Sequence, residues 1–304
     1  MHQEITKVAV VGSGGRLGAA IVRVLEADPN YTVVAFPRRV MDLNQPFQIR
    51  TLLGEADFDV LINAAAYTAV DDCEKYPDQA FQINAEAVGL MAKICDKRGA
   101  RMIHISTDFV FDGKKETPYT EEDEPNPLSV YGKTKFQGEQ ALLERSSDNL
   151  AVRVSWIFGP DRPGFPDWLV QNAMVAEGFA VVKDKIGSPT FSSDCARYLK
   201  PLLSGDNAIG GIIHLSNTGA PVWVDWGQFC LDQVAAAGIE LKTSQLGGIA
   251  MKDLPVFVAE RPHYSALSTE KYEKLIGSAP RSWQEATADY LDRYLIPNIT
   301  NSNT

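Results

Sequence analysis

The stretch KVAVVGSGGRLGAAIVRVLEA, Lys7 to Ala27, limits the fold more than any other part of this chain of 304 residues. It runs from β-forming residues through glycines at 12, 15 and 18 into a helical pattern with no break. Glycines let a backbone turn tightly and come close to a ligand. A helix that starts there points free N–H groups and the positive end of its dipole at whatever lies in the turn. An anionic pyrophosphate fits such a place, so Gly12, Gly15 and Gly18 are candidate dinucleotide-binding positions, with Arg16 and Leu17 between them.

The same alternation continues downstream. YTVVAF from Tyr31, DVLINAA from Asp59, RMIHIST from Arg101 and LAVRVSW from Leu150 are short and apolar on both alternating faces, as in strands of a parallel sheet covered on both sides. Between them, segments such as Asp78 to Gly99 carry apolar residues at helical spacing and close on glycine. The expected fold is α/β, a doubly wound parallel sheet of the Rossmann type with a smaller, interleaved C-terminal substrate lobe. Residues 1–155 are assigned to the dinucleotide-binding part, with later additions near 180–220, and 156–297 mainly to the lobe. IFGPDRPGFPDW, from Ile157, reads as a loop because of its prolines and glycines, and the polar 298–304 reads as a disordered tail.

Composition narrows the partners. Twenty-nine basic against thirty-nine acidic residues give a net charge of -10, which argues against nucleic acid or an anionic membrane. Four scattered cysteines and four histidines show no ligand spacing, so no metal site or disulfide framework is expected. The N-terminus has no signal-like pattern and no apolar run reaches membrane-spanning length, which suggests a cytoplasmic protein.

LSVYGKTKFQGEQALL, from Leu128, places Tyr131 and Lys135 one helical turn apart on one face. A free phenol titrates near 10. An adjacent ammonium would favour the phenolate and bring the proton within reach of acid–base work. STDFVF, from Ser106, ends a strand where a doubly wound sheet opens its crevice, so the Thr107 hydroxyl becomes a partner for a reacting carbonyl oxygen. After the second strand the chain reads FPRRVMDL. Arg38 and Arg39 there favour a 2′-phosphate, hence NADP over NAD, while Asp42 could reach adenine or ribose.

INAAAYTAVDDCEKYP, NAEAVGLMA, GARMIHISTDFVFDG and NPLSVYGKTKFQGEQAL, followed by RVSWIFG, GSPTFSSDCA and ERPHYSAL, together resemble the dTDP-4-dehydrorhamnose reductase family of the extended short-chain dehydrogenase/reductases. The resemblance runs from Val8 to about Leu267. It implies reduction of dTDP-4-dehydro-6-deoxy-L-mannose to dTDP-L-rhamnose with NADPH or NADH, Tyr131 as proton donor, Thr107 as its helper and Lys135 as ribose anchor. It further implies that Gly15, Arg16, Leu17, Asp42, Leu43, Ala66, Tyr67 and Thr68 line the cofactor, and that Thr107, Asp108 and Trp156 face the nucleotide sugar. The implied partner is that substrate; a homodimer is a separate expectation, which the resemblance does not carry. Lys185 stands where the family has an amide, to meet a phosphate or fold outward. Two alternatives share the fold. One is an epimerase or dehydratase, whose second carboxylate is missing here because Phe109 follows Asp108. The other is a non-catalytic NADP-binding regulatory subunit similar to the methionine adenosyltransferase β subunit.

Overall fold

The computed structural model describes residues 5–203 and 208–302. β1 (Thr6–Val11) is followed by α1 (Arg16–Glu26), β2 (Tyr31–Phe36), α2 (Pro46–Glu55) and β3 (Val60–Asn63). Next come α3 (Val70–Lys75), α4 (Pro77–Phe81) and α5 (Ala87–Arg98), with a π-helical turn Gln82–Glu86 joining the last two. The helix expected over 78–99 is thus one path with a π insertion. It stops at Gly99, whose φ of 69° is left-handed and closes the helix at little cost. β4 (Arg101–Thr107), α6 (Val130–Leu143) and β5 (Leu150–Val154) complete the first half.

The second half begins with β6 (Ile157–Phe158) and α7 (Phe165–Val175), followed by β7 (Ala180–Val182), β8 (Thr190–Phe191) and α8 (Ser192–Leu199). β9 (Gly211–His214), α9 (Trp223–Ala236), β10 (Gly247–Ile249), α10 (Glu270–Ile276), α11 (Trp283–Tyr290) and α12 (Ile296–Ser302) finish it.

The main sheet has the order β2-β1-β3-β4-β5-β9 and every pairing in it is parallel. Alternation along β1 builds both cores at once. Val8 and Val10 pack with Leu17, Ile21 and Leu25 of α1 and with Cys195 and Leu199 of α8; Ala9 and Val11 pack on the other face with residues of α2 and α5. The third core lies outside the sheet, where Trp226 of α9, Leu169 of α7 and Tyr290 of α11 surround Phe158 and Phe191.

Three expectations are corrected. Of the additions expected near 180–220, β9 does join β5 in the main sheet, but the strand near 180 does not extend it, since among the described strands β7 pairs with β10. The loop expected over 157–168 turns helical at Phe165, because Pro166 sits in the first turn, where no helical N–H bond is lost. Residues 298–302, expected to be disordered, continue as α12, since Ile296 and Ile299 pack on the third core. Asn303 and Thr304 lie outside the described residues.

Candidate active site

A cavity of about 770 Å³ opens where β1 lies between β2 and β3, the point at which the strand order reverses. Gly12, Gly15, Arg16 and Leu17 line it. Gly12 has φ 79°, and a Cβ there would stand 2.6 Å from the Ala65 backbone nitrogen. Gly18 does not line the cavity. A Cβ on it would meet the Gly12 carbonyl oxygen at 2.1 Å, so its part is to let α1 lie against the turn that Gly12 makes. The Arg16 guanidinium donates to the carbonyls of Ile157, Arg162 and Pro163, the first two from residues that line the cavity as well.

Beyond β2, Arg38, Arg39, Asp42 and Leu43 line the same cavity. Arg38 and Arg39 are exposed and have no hydrogen-bond or ion-pair partner among the described residues. Asp42 is engaged locally, its carboxylate accepting from the backbone and side chain of Asn44 at 3.0 Å. Ala66, Tyr67 and Thr68 form a further wall, pinned by a residue that sequence reasoning missed. The π turn aims Asn84 so that its Oδ1 accepts from the Tyr67 N–H at 2.8 Å while its Nδ2 donates to the Tyr67 carbonyl at 3.1 Å. π turns often mark such functional positions. The glycine cradle, this wall and the two free guanidiniums suit a dinucleotide bearing a 2′-phosphate.

Thr107, Asp108, Tyr131, Lys135 and Trp156 line the cavity too. Ser129 caps α6 by accepting from the Gly132 N–H. Gly132 lets the helix start close to the turn after β4, since a Cβ there would lie 2.2 Å from the Phe109 carbonyl oxygen. That approach sets Phe109 edge-on against Tyr131 and brings the Tyr131 phenol to the Thr107 hydroxyl. Burial pushes the Tyr131 phenol up, and Thr107 offsets only part of this. Burial pulls Lys135 down to about 7, opposed by Glu139. The lysine of the cofactor-free protein therefore does not lower its neighbour as the sequence suggested, because desolvation outweighs proximity.

Asp108 is buried and pushed up by desolvation, with Lys185 opposing; its carboxylate accepts from Thr107, Ser155 and Ser265. Ser155 and Ser265 gave no signal in the sequence, since a serine near a strand end has many uses. Lys185 neither folds outward nor waits for a phosphate. It is buried and donates to the Pro262 carbonyl at 2.8 Å, with Phe109 and Trp156 beneath its ammonium. Trp156 holds φ 43°, left-handed for a non-glycine residue. Its indole packs among Trp223 and Trp226, its Nε1 is buried with no hydrogen-bond partner among the described residues, and Gly187 leaves space for the ring.

The family model for the RmlD substrate binding domain matches residues 6–296. The spore coat polysaccharide biosynthesis protein SpsK of Bacillus subtilis (strain 168) is 34% identical over 94% of this chain and 97% of its own. The dTDP-4-dehydrorhamnose reductase of Escherichia coli (strain K12) is 32% identical over 91% and 94%. A crystal structure of dTDP-4-dehydrorhamnose reductase from Bacillus anthracis str. Ames in complex with NADP superposes with a TM-score of 0.86 at 28% identity, covering 94% of this chain and 99% of that one. Matched by that family model over nearly the whole chain and by relatives of this identity over more than nine-tenths of it, the protein belongs to the dTDP-4-dehydrorhamnose reductase family.

Proposed function

We propose that this protein is an NADPH-dependent oxidoreductase that reduces the 4-keto group of dTDP-4-dehydro-6-deoxy-L-mannose, giving dTDP-L-rhamnose. One observation carries the reading: Thr107, Tyr131 and Lys135 line the same cavity as the glycine turn and two unpaired guanidiniums. The named relatives and the NADP complex of a similar structure support it.

NADPH, when bound, supplies the hydride for the carbonyl carbon. The chain's task is to hold it, orient the sugar and provide the proton. Arg38 and Arg39 take the 2′-phosphate and Gly12 and Gly15 give the pyrophosphate backbone room, with Leu17, Leu43, Ala66, Tyr67 and Thr68 along the walls. Burial keeps the Tyr131 phenol protonated at neutral pH, the form that a reduction consumes. Tyr131 gives that proton to the carbonyl oxygen as it gains negative charge, while Thr107 steadies the same oxygen and Lys135 holds the nicotinamide ribose. Asp108 and Trp156 face the sugar nucleotide. The reading includes a cytoplasmic location and a homodimer, the latter checked by sedimentation.

The test is loss of NADPH absorbance with purified protein and the keto sugar generated in situ, repeated with NADH. Oxidation at an enzymatic rate, faster with NADPH, is expected. Tight NADPH binding with no oxidation would replace this reading with that of a regulatory subunit.

A further inference from the structure

Behind the sugar end of the cavity lies a charge that the proposed reaction does not use. Lys185, which follows β7, is 1% exposed and does not line the cavity, whereas Asp108, Phe109 and Trp156 all do. Its ammonium sits behind that wall. It donates to the Pro262 carbonyl at 2.8 Å and lies 5.0 Å from the centre of the Phe109 ring and 5.8 Å from that of Trp156.

Each of these partners suits a cation. A carbonyl oxygen accepts, an aromatic face attracts positive charge, and among the described residues no N–H or O–H donates to the nitrogen. A cation buried this deeply needs a counter-charge. The other charged groups around it are already engaged. Arg261 holds Asp71 through its guanidinium, Asp184 accepts from the Met251 N–H, and the exposed His263 ring meets the Asp184 carbonyl. Asp108 remains. It is 2% exposed and makes no direct ion pair with Lys185 among the described residues, yet each of the two is the strongest charge acting on the other.

The Asp108 carboxylate accepts from the hydroxyls of Thr107, Ser155 and Ser265. A carboxylate has about four acceptor sites, so one is left for a donor in the cavity that Asp108 lines. Protonation would turn the carboxyl into a donor. Burial pushes it up in that direction, and of the groups that oppose, Lys185 outweighs each of the three hydroxyls. Burial pulls Lys185 down only to about 8, so its charge is kept at neutral pH. Tyr131 of α6 is the remaining titratable group that faces Asp108, and Thr107 bonds to both.

We propose that Lys185 is a positioning residue for the sugar: from behind the cavity wall its ammonium keeps Asp108 a carboxylate, which accepts a hydroxyl of the nucleotide-linked sugar, and seats the Phe109 and Trp156 rings beside it. The role toward the sugar rests on the reductase reading, which sets a sugar against Asp108. The charge relationship does not.

Two variants separate the charge from the packing. Lys185→Gln keeps an N–H for Pro262 without the charge, and Lys185→Met keeps neither. In cofactor-free protein carrying 13C-labelled aspartate, the Asp108 carboxyl (assigned with Asp108→Asn) is expected to be ionised at pH 7, and its midpoint to rise by about one pH unit or more in both variants. The KM for the keto sugar should rise about tenfold near pH 6.5 and recover toward the native value near pH 8.5, where Asp108 ionises again, while the dissociation constant for NADPH stays put. A native Asp108 protonated at pH 7, a midpoint unmoved in both variants, or a KM penalty of one size at both pH values would each overturn the proposal. Absence of turnover in the native protein would refute the reductase reading and the sugar contact with it, and the carboxyl midpoints would still decide whether Lys185 holds Asp108 ionised.

Discussion

Arg16 and Arg162 hold each other's loops. Arg162, from the segment before α7, donates to the Gly14 carbonyl at 3.0 Å, and Arg16, at the start of α1, donates to the Arg162 carbonyl at 3.2 Å. The glycine turn and the C-terminal lobe are joined by this reciprocal pair, and Arg162 lines the cavity beside the turn. Arg16 has a further bond to Ile157, so it serves both as lining and as a strut.

Removing one side of the clasp should loosen the turn without touching the reacting groups. Arg162→Ala is expected to raise the KM for NADPH roughly fivefold, worth about 1 kcal/mol, with kcat little changed. Steady-state kinetics at saturating sugar checks this, and a fall in kcat with KM unchanged would count against it.

Tyr131→Phe removes the proposed proton donor and leaves the ring that meets Phe109 edge-on. The rate should drop by about 10²–10⁴-fold while the NADPH dissociation constant stays put. Fluorescence titration and single-turnover rates separate the two, and undiminished turnover would remove Tyr131 from the mechanism.

Arg38→Ala combined with Arg39→Ala tests the 2′-phosphate argument. Both side chains are exposed, so folding should be unaffected while NADPH affinity falls by about tenfold or more and NADH affinity barely moves. Equal losses for both cofactors would show that the arginines do not read the phosphate.

Gly18→Ala probes the packing behind the turn. The new methyl would lie 2.1 Å from the Gly12 carbonyl oxygen, a backbone atom that cannot yield without moving the turn. Destabilisation of about 1–3 kcal/mol is expected, read as a lower melting temperature together with weaker NADPH binding.

Acid stability has a named contributor. Asp71 accepts from the Arg261 guanidinium and from the N–H groups of Val258 and Ala259. Burial pushes its carboxyl up, yet these bonds outweigh burial and hold it at about 2 rather than 3.8. A carboxylate lowered on folding adds stability that is fully present above its unfolded value and is lost as pH falls through about 2. Asp71→Asn should therefore be less stable near neutrality and show a shallower decline between about pH 4 and pH 2, followed by thermal melts across that range. An unchanged slope would assign the acid sensitivity elsewhere.

The order of elements and the cavity lining were legible because they are local. Glycines after an apolar strand, alternation on two faces of a strand and a Tyr–Lys spacing of one helical turn are written into neighbouring residues. The residues that the sequence reading named for a cofactor line one cavity, apart from Gly18, which supports the turn from behind.

The remaining features depend on distance in the chain. Asn84 holds Tyr67 across 17 positions, Ser265 reaches Asp108 across 157, and β9 returns to the main sheet while β7 leaves it for β10. Lys185 gave one signal, a charge where the family has an amide, but its meaning lies in partners brought from the turn after β4 and from Pro262. By itself the sequence determined the doubly wound fold and the kinds of groups at the site. Only the tertiary structure decided their protonation, because burial and the direction of each hydrogen bond are set by neighbours that folding, not chain order, brings together.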